Sequence, residues 1–593
     1  MKFAAITALE QHLQTVFGGP PLDIQFERPP ETMKGDITVN GFRLAGVLRR
    51  PPAAVAAAAV ECLRRHPDVE SVEAVKAFIN LVLRPQAVFR DTVCDEAGLL
   101  DDAGLPPAER RRLLIEFSAP NTNKPQHLGH VRNNTLGQAM VAIQRRVGHT
   151  VFPINLVNDR GIHICKSMLA YQRFGGRGTP EATATKGDHF VGDYYVKFDA
   201  EFRRQLGELR TARPDLAGQS DDELFLETEI GRAAQAMLVA WEGNDPAVRA
   251  LWRTMNRWVL EGFAQTYARM GVEFDRTYYE SETFALGKDL ILEHLAAGTF
   301  ERRPDGAVFI DLEKEGAGKK VVLRSDGTSV YVTQDIGTTI LKQNDFRPDQ
   351  QVWIVGDEQI HHFKVLFAIL RRMGYPWAGQ LYHMAYGMVN LPSGRMKSRE
   401  GTVVDADDLF DEMERLARAA TLERAEGGAP DDLDRRARVI GMAALKYMLL
   451  KVNPKTTILF DPEASLKFEG DTGPYVLYAY ARVSSMLRKA DPGLLAQPVD
   501  WTVLGAPEEK EIALRCAEYG RVLRRAAREF DTSALATYLL DLAKAFSRFY
   551  RELSVLSAPT PALCRARLEL SRRVQRILQD GLAALTIETL ESM

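Results

Sequence analysis

The middle of the chain alternates between continuous apolar runs and apolar positions at helical spacing. Residues 112–119 (RLLIEFSA) predict a buried strand, which a polar loop follows. A helix is predicted from about His127, because apolar side chains then recur every three or four residues. Its apolar positions are Val131, Leu136, Ala139, Met140, Ile143 and Val147. Gly148 ends this helix, and residues 150–157 predict the next strand of a parallel βαβ unit, the building block of a nucleotide-binding sheet.

The same sheet is predicted to continue after a long interruption. Residues 175–320 are charged and mostly helical in pattern, with few strand signals, so we interpret them as a helical insertion between two halves of one sheet. Strands are then predicted at residues 329–333, 351–356 and 381–391, with a helix after the first and another that reaches Arg372. These elements predict an α/β Rossmann-like domain with a parallel sheet.

The two ends of the chain have other patterns. The N-terminal part mixes helical and strand-like stretches, with an extended segment at residues 33–42, and residues 101–110 have the Gly, Pro and charge content of a linker. The chain is strongly helical after residue 405. We therefore predict four parts, which are an N-terminal α+β domain at residues 1–105, the Rossmann-like domain at 112–404, a helical connection at 405–470, and a C-terminal all-α domain at 471–593.

Composition excludes several classes of protein. Hydrophobic residues make up 45% and charged residues 26% of 593 positions, which argues against both a disordered chain and a membrane protein. The N-terminus reaches Glu10 before any apolar core of signal-peptide length, so we expect a cytoplasmic protein. Five dispersed cysteines predict neither a disulfide framework nor a zinc knuckle. The net charge of −3 neither indicates nor excludes binding of nucleic acid, because phosphate is bound by a local basic surface.

The first candidate for a binding or catalytic site is the motif His127-Leu128-Gly129-His130, at the start of the predicted helix. A helix N-terminus presents unpaired N–H groups and the positive end of a dipole, which favours a phosphate. The two histidines can donate hydrogen bonds to charge that develops on a phosphoryl group, and the glycine leaves a flat backbone for a purine ring. Ordinary capping histidines are the alternative. The position at a strand-to-helix junction favours the phosphate site.

The run from Glu116 to Asn134, EFSAPNTNKPQHLGHVRNN, resembles the nucleotide-binding signature of class I aminoacyl-tRNA synthetases, in the sequence variant that is typical of arginyl-tRNA synthetases. The class name of the four-residue motif is HIGH. The resemblance implies that His127, Gly129 and His130 bind ATP and that the histidines stabilise the α-phosphate while an adenylate forms. It further implies ATP contacts from Met388 and Val389, and the use of Mg²⁺ with ATP but of no zinc.

The class has a second signature, the KMSKS loop, and residues 394–401 (GRMKSREG) resemble it. Arg395 stands at the first lysine position, followed by Met396, Lys397 and Ser398. The second lysine is absent, as in many arginyl-tRNA synthetases, in which a lysine just before HIGH is thought to replace its charge. Lys124 stands at that place. The resemblance implies that such cations offset charge on the departing pyrophosphate, and leaves open whether Lys124 or Arg395 does so. Without the first motif, a solvated basic loop would be the simpler interpretation.

The substrate amino acid is predicted from polar side chains near strand ends. A guanidinium group is a planar cationic fork, so a selective site needs carboxylates placed for bidentate hydrogen bonds. Glu116 lies on the first strand, and SVYVTQDIGTT, with Tyr331 and Asp335, resembles the segment that lines the family's arginine pocket. The resemblance also implies that Gln359 lies near the substrate and that Asn121 holds its α-amino group. Asp335 as a helix cap and Tyr331 as a half-buried strand residue are the structural alternatives.

The C-terminal region resembles the anticodon-binding domain of the family, chiefly at residues 471–490, 543–556 and 581–593. The N-terminal domain resembles the family's additional tRNA-binding module, with KGDIT as the best match. Aromatic and cationic side chains commonly stack on exposed RNA bases. The candidates for tRNA binding are Tyr475, Tyr478, Tyr480, Arg482 and Met593. At helical spacing, however, such residues are more often part of a core or a solvated face.

Together these resemblances imply an enzyme that forms arginyl-adenylate from L-arginine and ATP and then transfers arginine to tRNA(Arg). They also imply that bound tRNA is needed for the first step. We expect a monomer whose partners are tRNA(Arg), L-arginine and ATP, with no membrane. Two alternatives remain open. One is a class I synthetase for another amino acid, which would lack the pair Glu116 and Asp335, and the other is an inactive paralogue that binds RNA.

Overall fold

The structure is a computed structural model that describes residues 3–30, 32–93, 100, 103–392, 404–425 and 429–593. The chain divides into two compact units, Met1–Pro106 with Lys467–Met593, and Pro107–Leu466. The segment predicted as a helical connection lies mostly in the second unit, together with the parallel sheet. The predicted four-part division remains a prediction.

The N-terminal part of the first unit is an antiparallel sheet with helices, in the strand order β1-β2-β4-β3. Its elements are α1 (Ala4–Phe17), β1 (Phe26–Glu27), β2 (Ile37–Asn40), α2 (Gly41–Leu48), α3 (Pro52–Arg64), β3 (Val69–Val75), β4 (Phe78–Leu83) and α4 (Pro85–Thr92). The extended segment predicted at residues 33–42 is therefore shorter in the structure. The side chain of Asn40 accepts a hydrogen bond from the N–H of Arg43 (3.2 Å), which caps α2 and ends the strand.

Among the described residues, the second unit contains ten strands. It also contains ten helices that are at least eight residues long. The strands are β5 (Arg112–Glu116), β6 (Thr150–Val157), β7 (Arg276–Tyr279), β8 (Glu301–Arg302), β9 (Val308–Leu312), β10 (Gly318–Leu323), β11 (Gln350–Gly356), β12 (Leu381–Tyr386), β13 (Val389–Asn390) and β14 (Ile458–Leu459). The helices are α5 (Leu128–Arg146), α6 (Ile162–Phe174), α7 (Gly187–Ala212), α8 (Glu229–Glu242), α9 (Pro246–Met270), α10 (Lys288–Ala296), α11 (Tyr331–Phe346), α12 (Ile360–Arg372), α13 (Ala406–Arg424) and α14 (Leu433–Leu450).

A five-stranded sheet forms the centre of this unit, in the order β12-β11-β5-β6-β7 with every neighbouring pair parallel. The apolar run Leu113, Leu114 and Ile115 is buried, as expected for a strand covered on both faces. Helix α5 packs closely beside it. A Cβ on Gly137 would come within 2.2 Å of the Phe117 ring, so this close approach requires glycine. The predicted strand, helix and strand of the βαβ unit are confirmed.

Two predictions about the strands of the sheet are wrong. Residues 329–333 do not form a strand, because α11 begins at Tyr331 and its buried positions Val332, Thr333 and Ile336 recur at helical spacing. Five alternating residues are too few to separate the two patterns. Residues 381–391 form two strands rather than one. Gly387 separates them, since its N–H bonds to the carbonyl of Pro454 (2.9 Å) and a Cβ there would lie 2.8 Å from the carbonyl of Lys455.

The insertion at residues 175–320 is less helical than predicted. Helices α7 to α9 fill its first part, but β7 is an edge strand of the central sheet, and β8, β9 and β10 form a small antiparallel sheet. These strands are two to six residues long and carry many charged side chains. Short strands with charged side chains give little period-two signal beside long amphipathic helices, which explains why the pattern does not predict these four strands.

Helices form the C-terminal part of the first unit, as predicted. The longest are α15 (Gly473–Lys489), α16 (Pro507–Glu529), α17 (Thr532–Glu552) and α18 (Pro561–Ala584). The four described cysteines, Cys62, Cys165, Cys516 and Cys564, are free thiols, and Cys94 lies outside the described residues. No described helix is both long and apolar enough to cross a membrane.

Candidate active site

The HLGH motif forms the start of α5, and its two histidines cap the helix reciprocally. His127 is the N-cap residue, and its Nδ1 accepts a hydrogen bond from the N–H of Gly129 (3.1 Å). The Nδ1 of His130 accepts from the N–H of His127 (3.2 Å), and the ring centroids are 4.0 Å apart. Because each Nδ1 accepts a hydrogen bond, the neutral rings carry their protons on Nε2. The motif can therefore offer two Nε2–H donors beside a helix N-terminus.

Both histidines are held in the neutral form. Burial, together with the positive charge of Lys124, lowers the pKa of His127 to about 4. Burial also lowers the pKa of His130 well below its ordinary value, and His127 and Lys124 add to that shift. Neutral donors are suited to an anion whose charge grows during a reaction, since they need no counter-ion in the resting state.

Gly129 is required by the ring of His127. A Cβ at this position would lie 2.9 Å from Cε1 and 3.1 Å from Nδ1 of that ring. Any side chain here would displace His127 from its capping position. The glycine therefore serves the geometry of the motif directly, in addition to leaving the backbone uncovered.

The SAPN loop before the motif is strained and held by buried polar groups. Ser118 and Ala119 have positive φ angles of 78° and 47°, a conformation that costs about 1–3 kcal/mol for each non-glycine residue. Asn133 Oδ1 accepts from the N–H of Ser118 (2.5 Å), and Asn155 Oδ1 accepts from the N–H of Ala119 (3.0 Å). The hydroxyl of Tyr267 is 2.7 Å from Ser118 Oγ. Such a constrained loop is typical of a site that must hold a fixed shape.

Residues 126–128 pair with residues 404–406 through the backbone. The N–H of Leu128 donates to the carbonyl of Val404, and the N–H of Ala406 donates to the carbonyl of Gln126, both at 2.9 Å. Asp405 caps α13, because its Oδ1 accepts from the N–H of Asp407 (2.8 Å). The segment after the predicted KMSKS-like loop is thus joined to the HLGH motif. We call residues 124–130 with 404–406 the nucleotide edge.

Some predicted ATP contacts lie outside the described residues or remain untested. Arg395, Met396, Lys397 and Ser398 belong to residues 393–403, which the structure does not describe. Met388 is 52% exposed, and its carbonyl accepts from the N–H of Ile458 (2.9 Å). Val389 belongs to β13, which pairs with β14 rather than with the central sheet. Their roles stay predictions.

Glu116 ends β5 and has a buried cation as its partner. Lys342 of α11, only 2% exposed, donates to Oε2 of Glu116. Asp335 lies on the same helix but is bonded to His362, whose Nε2 is 2.6 Å from Oδ2 of Asp335. The two predicted arginine-binding carboxylates therefore have different protein partners. Asp335 is not a helix cap, because Val330 is the N-cap residue of α11.

A third carboxylate, Glu280, lies directly after β7. Burial, partly offset by Arg160, raises the pKa of Glu280, and the nearby carboxylates of Asp159 and Asp335 contribute to the rise. Asp159 follows β6 and fixes the turn that carries Glu280, since its carboxylate accepts from the N–H (2.8 Å) and the hydroxyl (2.7 Å) of Ser281. We call Asp159, Glu280 and Asp335 the acidic cluster. Two of its carboxyl groups, those of Asp159 and Glu280, follow the parallel strands β6 and β7, at the edge where ligands of α/β sheets bind.

The other predicted arginine contacts lie on helix starts and loops. Tyr331 is the first residue of α11 and is 78% exposed, so it is not a half-buried strand residue. Gln359 ends a turn of 3₁₀ helix after β11 and is exposed. Asn121 is exposed and forms a parallel bridge with Asn158, beside the end of β6. Their contact with arginine stays a prediction.

Two of the predicted tRNA-binding residues stack on each other on α15, in the first unit, where Tyr478 is exposed and Arg482 is half-buried. The guanidinium of Arg482 lies 4.5 Å from the ring centre of Tyr478 and 5.0 Å from that of Tyr550, and it donates to the Tyr478 hydroxyl (2.9 Å). Tyr475 is half-buried, and so is Met593. Tyr480 is only 4% exposed, so the suggestion that it stacks on a base is wrong and the core interpretation holds for it.

Three family models match the chain. The model for "tRNA synthetases class I (R), catalytic domain" matches residues 99–461, that for "DALR anticodon binding domain" residues 476–593, and that for "Arginyl tRNA synthetase N terminal domain" residues 4–83. With a parallel sheet and a helix that begins at HLGH, the larger unit defines a class I aminoacyl-tRNA synthetase.

Similar proteins narrow this class. The arginine–tRNA ligase of Porphyromonas gingivalis is 41% identical over 588 residues, which cover 98% of each chain. That of Bacteroides thetaiotaomicron is 41% identical over 578 residues, covering 96% of this chain and 95% of the relative. The solved structure of Thermus thermophilus arginyl-tRNA synthetase has a TM-score of 0.81 and 28% identity over the whole of both chains. The chain belongs to the arginyl-tRNA synthetases, which removes the alternative of a class I synthetase for another amino acid.

Sequence reasoning missed Glu280, Asp159 and the polar groups that hold the SAPN loop. Glu280 follows RTYY at residues 276–279, and recognising that strand would have placed a carboxylate at its end. Asp159 similarly follows the predicted strand at residues 150–157. Asn133, Asn155 and Tyr267 gave no local signal, because their partners lie elsewhere in the chain.

Proposed function

We propose that this chain joins L-arginine to tRNA(Arg) in two steps. Arginine and ATP form arginyl-adenylate and pyrophosphate, and the terminal adenosine hydroxyl of the tRNA then attacks the arginyl carbonyl and releases AMP. The proposal depends most on one observation, which is that HLGH begins the helix after β5, while Asp159 and Glu280 follow the neighbouring strands β6 and β7 of the same parallel sheet. A nucleotide and a cationic amino acid can thus bind at the same edge of the sheet.

The nucleotide edge acts by positioning and electrostatics. The α-phosphate lies against the N-terminus of α5, and the Nε2–H groups of His127 and His130 donate to the oxygens that gain charge in the pentavalent transition state. Lys124, with Arg395 and Lys397, offsets charge on the departing pyrophosphate. The arginine carboxylate is itself the nucleophile, so the protein forms no covalent intermediate.

We propose that Mg²⁺ arrives bound to the phosphates of ATP. Among the described residues, Asp188, His189 and Asp407 have ligand atoms close enough to hold a metal. They do not fit a resident ion, because the ammonium group of Lys186 lies 3.1 Å from Asp188 Oδ2 and 2.6 Å from Asp407 Oδ2. When bound to ATP, Mg²⁺ would neutralise part of the phosphate charge.

The acidic cluster supplies selectivity for the guanidinium. Glu280 and Asp335 accept its hydrogen bonds, and Asp159 positions Glu280 through Ser281. Glu116 contributes Oε1 while Lys342 keeps Oε2. Tyr331 and Gln359 line the pocket, and Asn121 binds the α-amino group. A lysine substrate would leave part of this fork of acceptors unsatisfied, at about 1–3 kcal/mol for each buried polar group.

The first unit is proposed to bind tRNA(Arg). The stack of the exposed Tyr478 and the half-buried Arg482 suits an unpaired base, and Tyr475 and Met593 extend this surface. We propose that the enzyme works as a monomer in the cytoplasm, where tRNA is charged for translation.

Aminoacylation of total tRNA with labelled amino acids tests the function. We expect the purified full chain to charge tRNA with arginine, to need ATP and Mg²⁺, and to give no product with lysine or methionine. Failure to charge tRNA with arginine, in protein that is folded by circular dichroism, would support the inactive paralogue instead.

Two further measurements test the finer claims. We expect ATP–pyrophosphate exchange with arginine to require tRNA, and robust exchange without tRNA would contradict this. We also expect Lys124→Ala to lower adenylate formation more than Arg395→Ala. Comparable losses in the two variants would contradict the leading role of Lys124.

A further inference from the structure

A group of charged side chains joins the helical insertion to the start of α13, and only one of its members, Asp405 of the nucleotide edge, has a part in the steps proposed above. We call it the Lys186 cluster. Its members are Lys186, Asp188, His189, Thr266, Arg269, Asp405, Asp407 and Asp411. Lys186, the residue before α7, lies at its centre, and its Nζ donates to Asp188 (3.1 Å), to Thr266 Oγ1 (2.5 Å) and to Asp407 (2.6 Å).

The ammonium group of Lys186 holds two carboxylates from different helices. Asp188 is fully buried on α7, and burial raises its pKa while Lys186 opposes the rise. Burial also disfavours ionisation of Asp407, but His189, Lys186 and Arg269 outweigh it and hold the pKa of Asp407 below its ordinary value. Arg269 of α9 adds contacts to Asp407 (3.2 Å) and Asp411 (2.6 Å). Asp407 is therefore an ionised acceptor with a fixed position.

Asp407 directly follows the nucleotide edge, which ends at Ala406. Its own N–H donates to Asp405, whose neighbours on either side carry the two backbone hydrogen bonds to Gln126 and Leu128. His189 Nε2 is 3.5 Å from a carboxylate oxygen of Asp405 and from one of Asp407. A displacement of Asp407 would therefore move residues 404–406, and with them the paired residues 126–128 that set the position of His127.

We propose that Lys186 is a positioning residue for adenylate formation, which fixes the nucleotide edge by holding Asp407 against the helical insertion. This inference rests on the proposed function. It does not place Lys186 in contact with ATP or arginine. A displacement of about 1 Å in a catalytic group can lower a rate by roughly 100-fold, so even a small shift of this edge would be measurable.

The test is a double-mutant cycle in the full chain, with ATP–pyrophosphate exchange measured in the presence of tRNA. The variants are Lys186→Met, Asp407→Asn and the two combined. We expect each single variant to lower kcat by roughly 10- to 100-fold and to leave the KM for arginine within about twofold. The double variant should lose no more than the worse single variant, because both changes break the same contact. Arg204→Met is the matched control, since Arg204 forms exposed ion pairs with Glu201 and Glu208 on the same helix, and its kcat should not change.

Each outcome decides the inference. Full kcat in Asp407→Asn, or additive losses in the double variant, would overturn it, and so would a rise in the KM for arginine as large as the loss in kcat. If Lys186→Met does not fold, because Asp188 is left without its partner, Asp407→Asn decides alone. Absence of arginine charging in the unmodified chain would instead contradict the proposed function, so the two failures can be told apart.

Discussion

The nucleotide edge comes mostly from one short stretch of the chain, whereas the three carboxylates of the acidic cluster are far apart in the sequence. Residues 124–130 supply Lys124, both histidines and the helix N-terminus together. The carboxylates come from the end of β6, the end of β7 and the second turn of α11. Phosphate recognition by backbone N–H groups is a local property of a helix start, but a guanidinium needs acceptors from several directions. Four changes would test this contrast.

The largest effect is expected from the buried pair of Glu116 and Lys342. Glu116→Gln leaves Lys342 buried without a charged partner, which should lower the free energy of unfolding by about 3–5 kcal/mol in urea titrations. Combining it with Lys342→Met should restore most of this stability. In that stable double variant we expect the KM for arginine to rise roughly tenfold, because the neutral amide that replaces the carboxylate accepts a weaker hydrogen bond from the guanidinium. An unchanged KM would give Glu116 a structural role alone.

The next effect concerns the histidines of the nucleotide edge. His130→Ala removes a donor to the transition state and should lower kcat for adenylate formation by roughly 100- to 1,000-fold, with the KM for arginine unchanged. His149→Ala is the control. His149 accepts from the N–H of Arg111 (2.9 Å) beside the amino end of β6, at the opposite edge of the sheet. Equal losses in the two variants would contradict a local role.

A smaller effect, on the other side of the comparison, is expected from Glu280→Gln. Loss of a charge-assisted hydrogen bond to the guanidinium should raise the KM for arginine by roughly 10- to 100-fold and leave the KM for ATP unchanged. Glu282→Gln is a matched control, because Glu282 is exposed in the same helical turn. If both variants raise the KM for arginine equally, the acidic cluster acts only through its overall charge.

The smallest effect is expected from pH. The pKa of His127 is about 4 in the folded chain, below its ordinary value of 6.5. Between these two pH values His127 is therefore mostly protonated in the unfolded chain and neutral in the folded chain. The contribution of His127 to stability is complete above about pH 6.5 and is lost as the pH falls towards 4. Nuclear magnetic resonance should therefore show no titration of His127 between pH 5 and 8, with His127→Gln used for assignment. A midpoint near 6.5 would contradict the buried neutral ring.

Particular elements show where the sequence was informative. The predicted strand at residues 150–157 coincides with β6, and the helix expected from about His127 is α5, because long apolar patterns report their own secondary structure. The patterns of residues 329–333 and 276–279 do not predict the helix start and the strand that these residues form, since four or five residues carry too little pattern. Because the strand at residues 276–279 is not predicted, Glu280 at its end is not predicted as a site residue.

The sequence by itself determined the βαβ unit and the HLGH helix start, because apolar periodicity and helix capping depend on residues a few positions apart. Only the tertiary structure decided the acidic cluster and the Lys186 cluster. Asp159 meets Ser281 across 122 positions, and Lys186 meets Asp407 across 221. The order of parallel strands and the packing of the insertion bring such partners together, and no local pattern encodes that order.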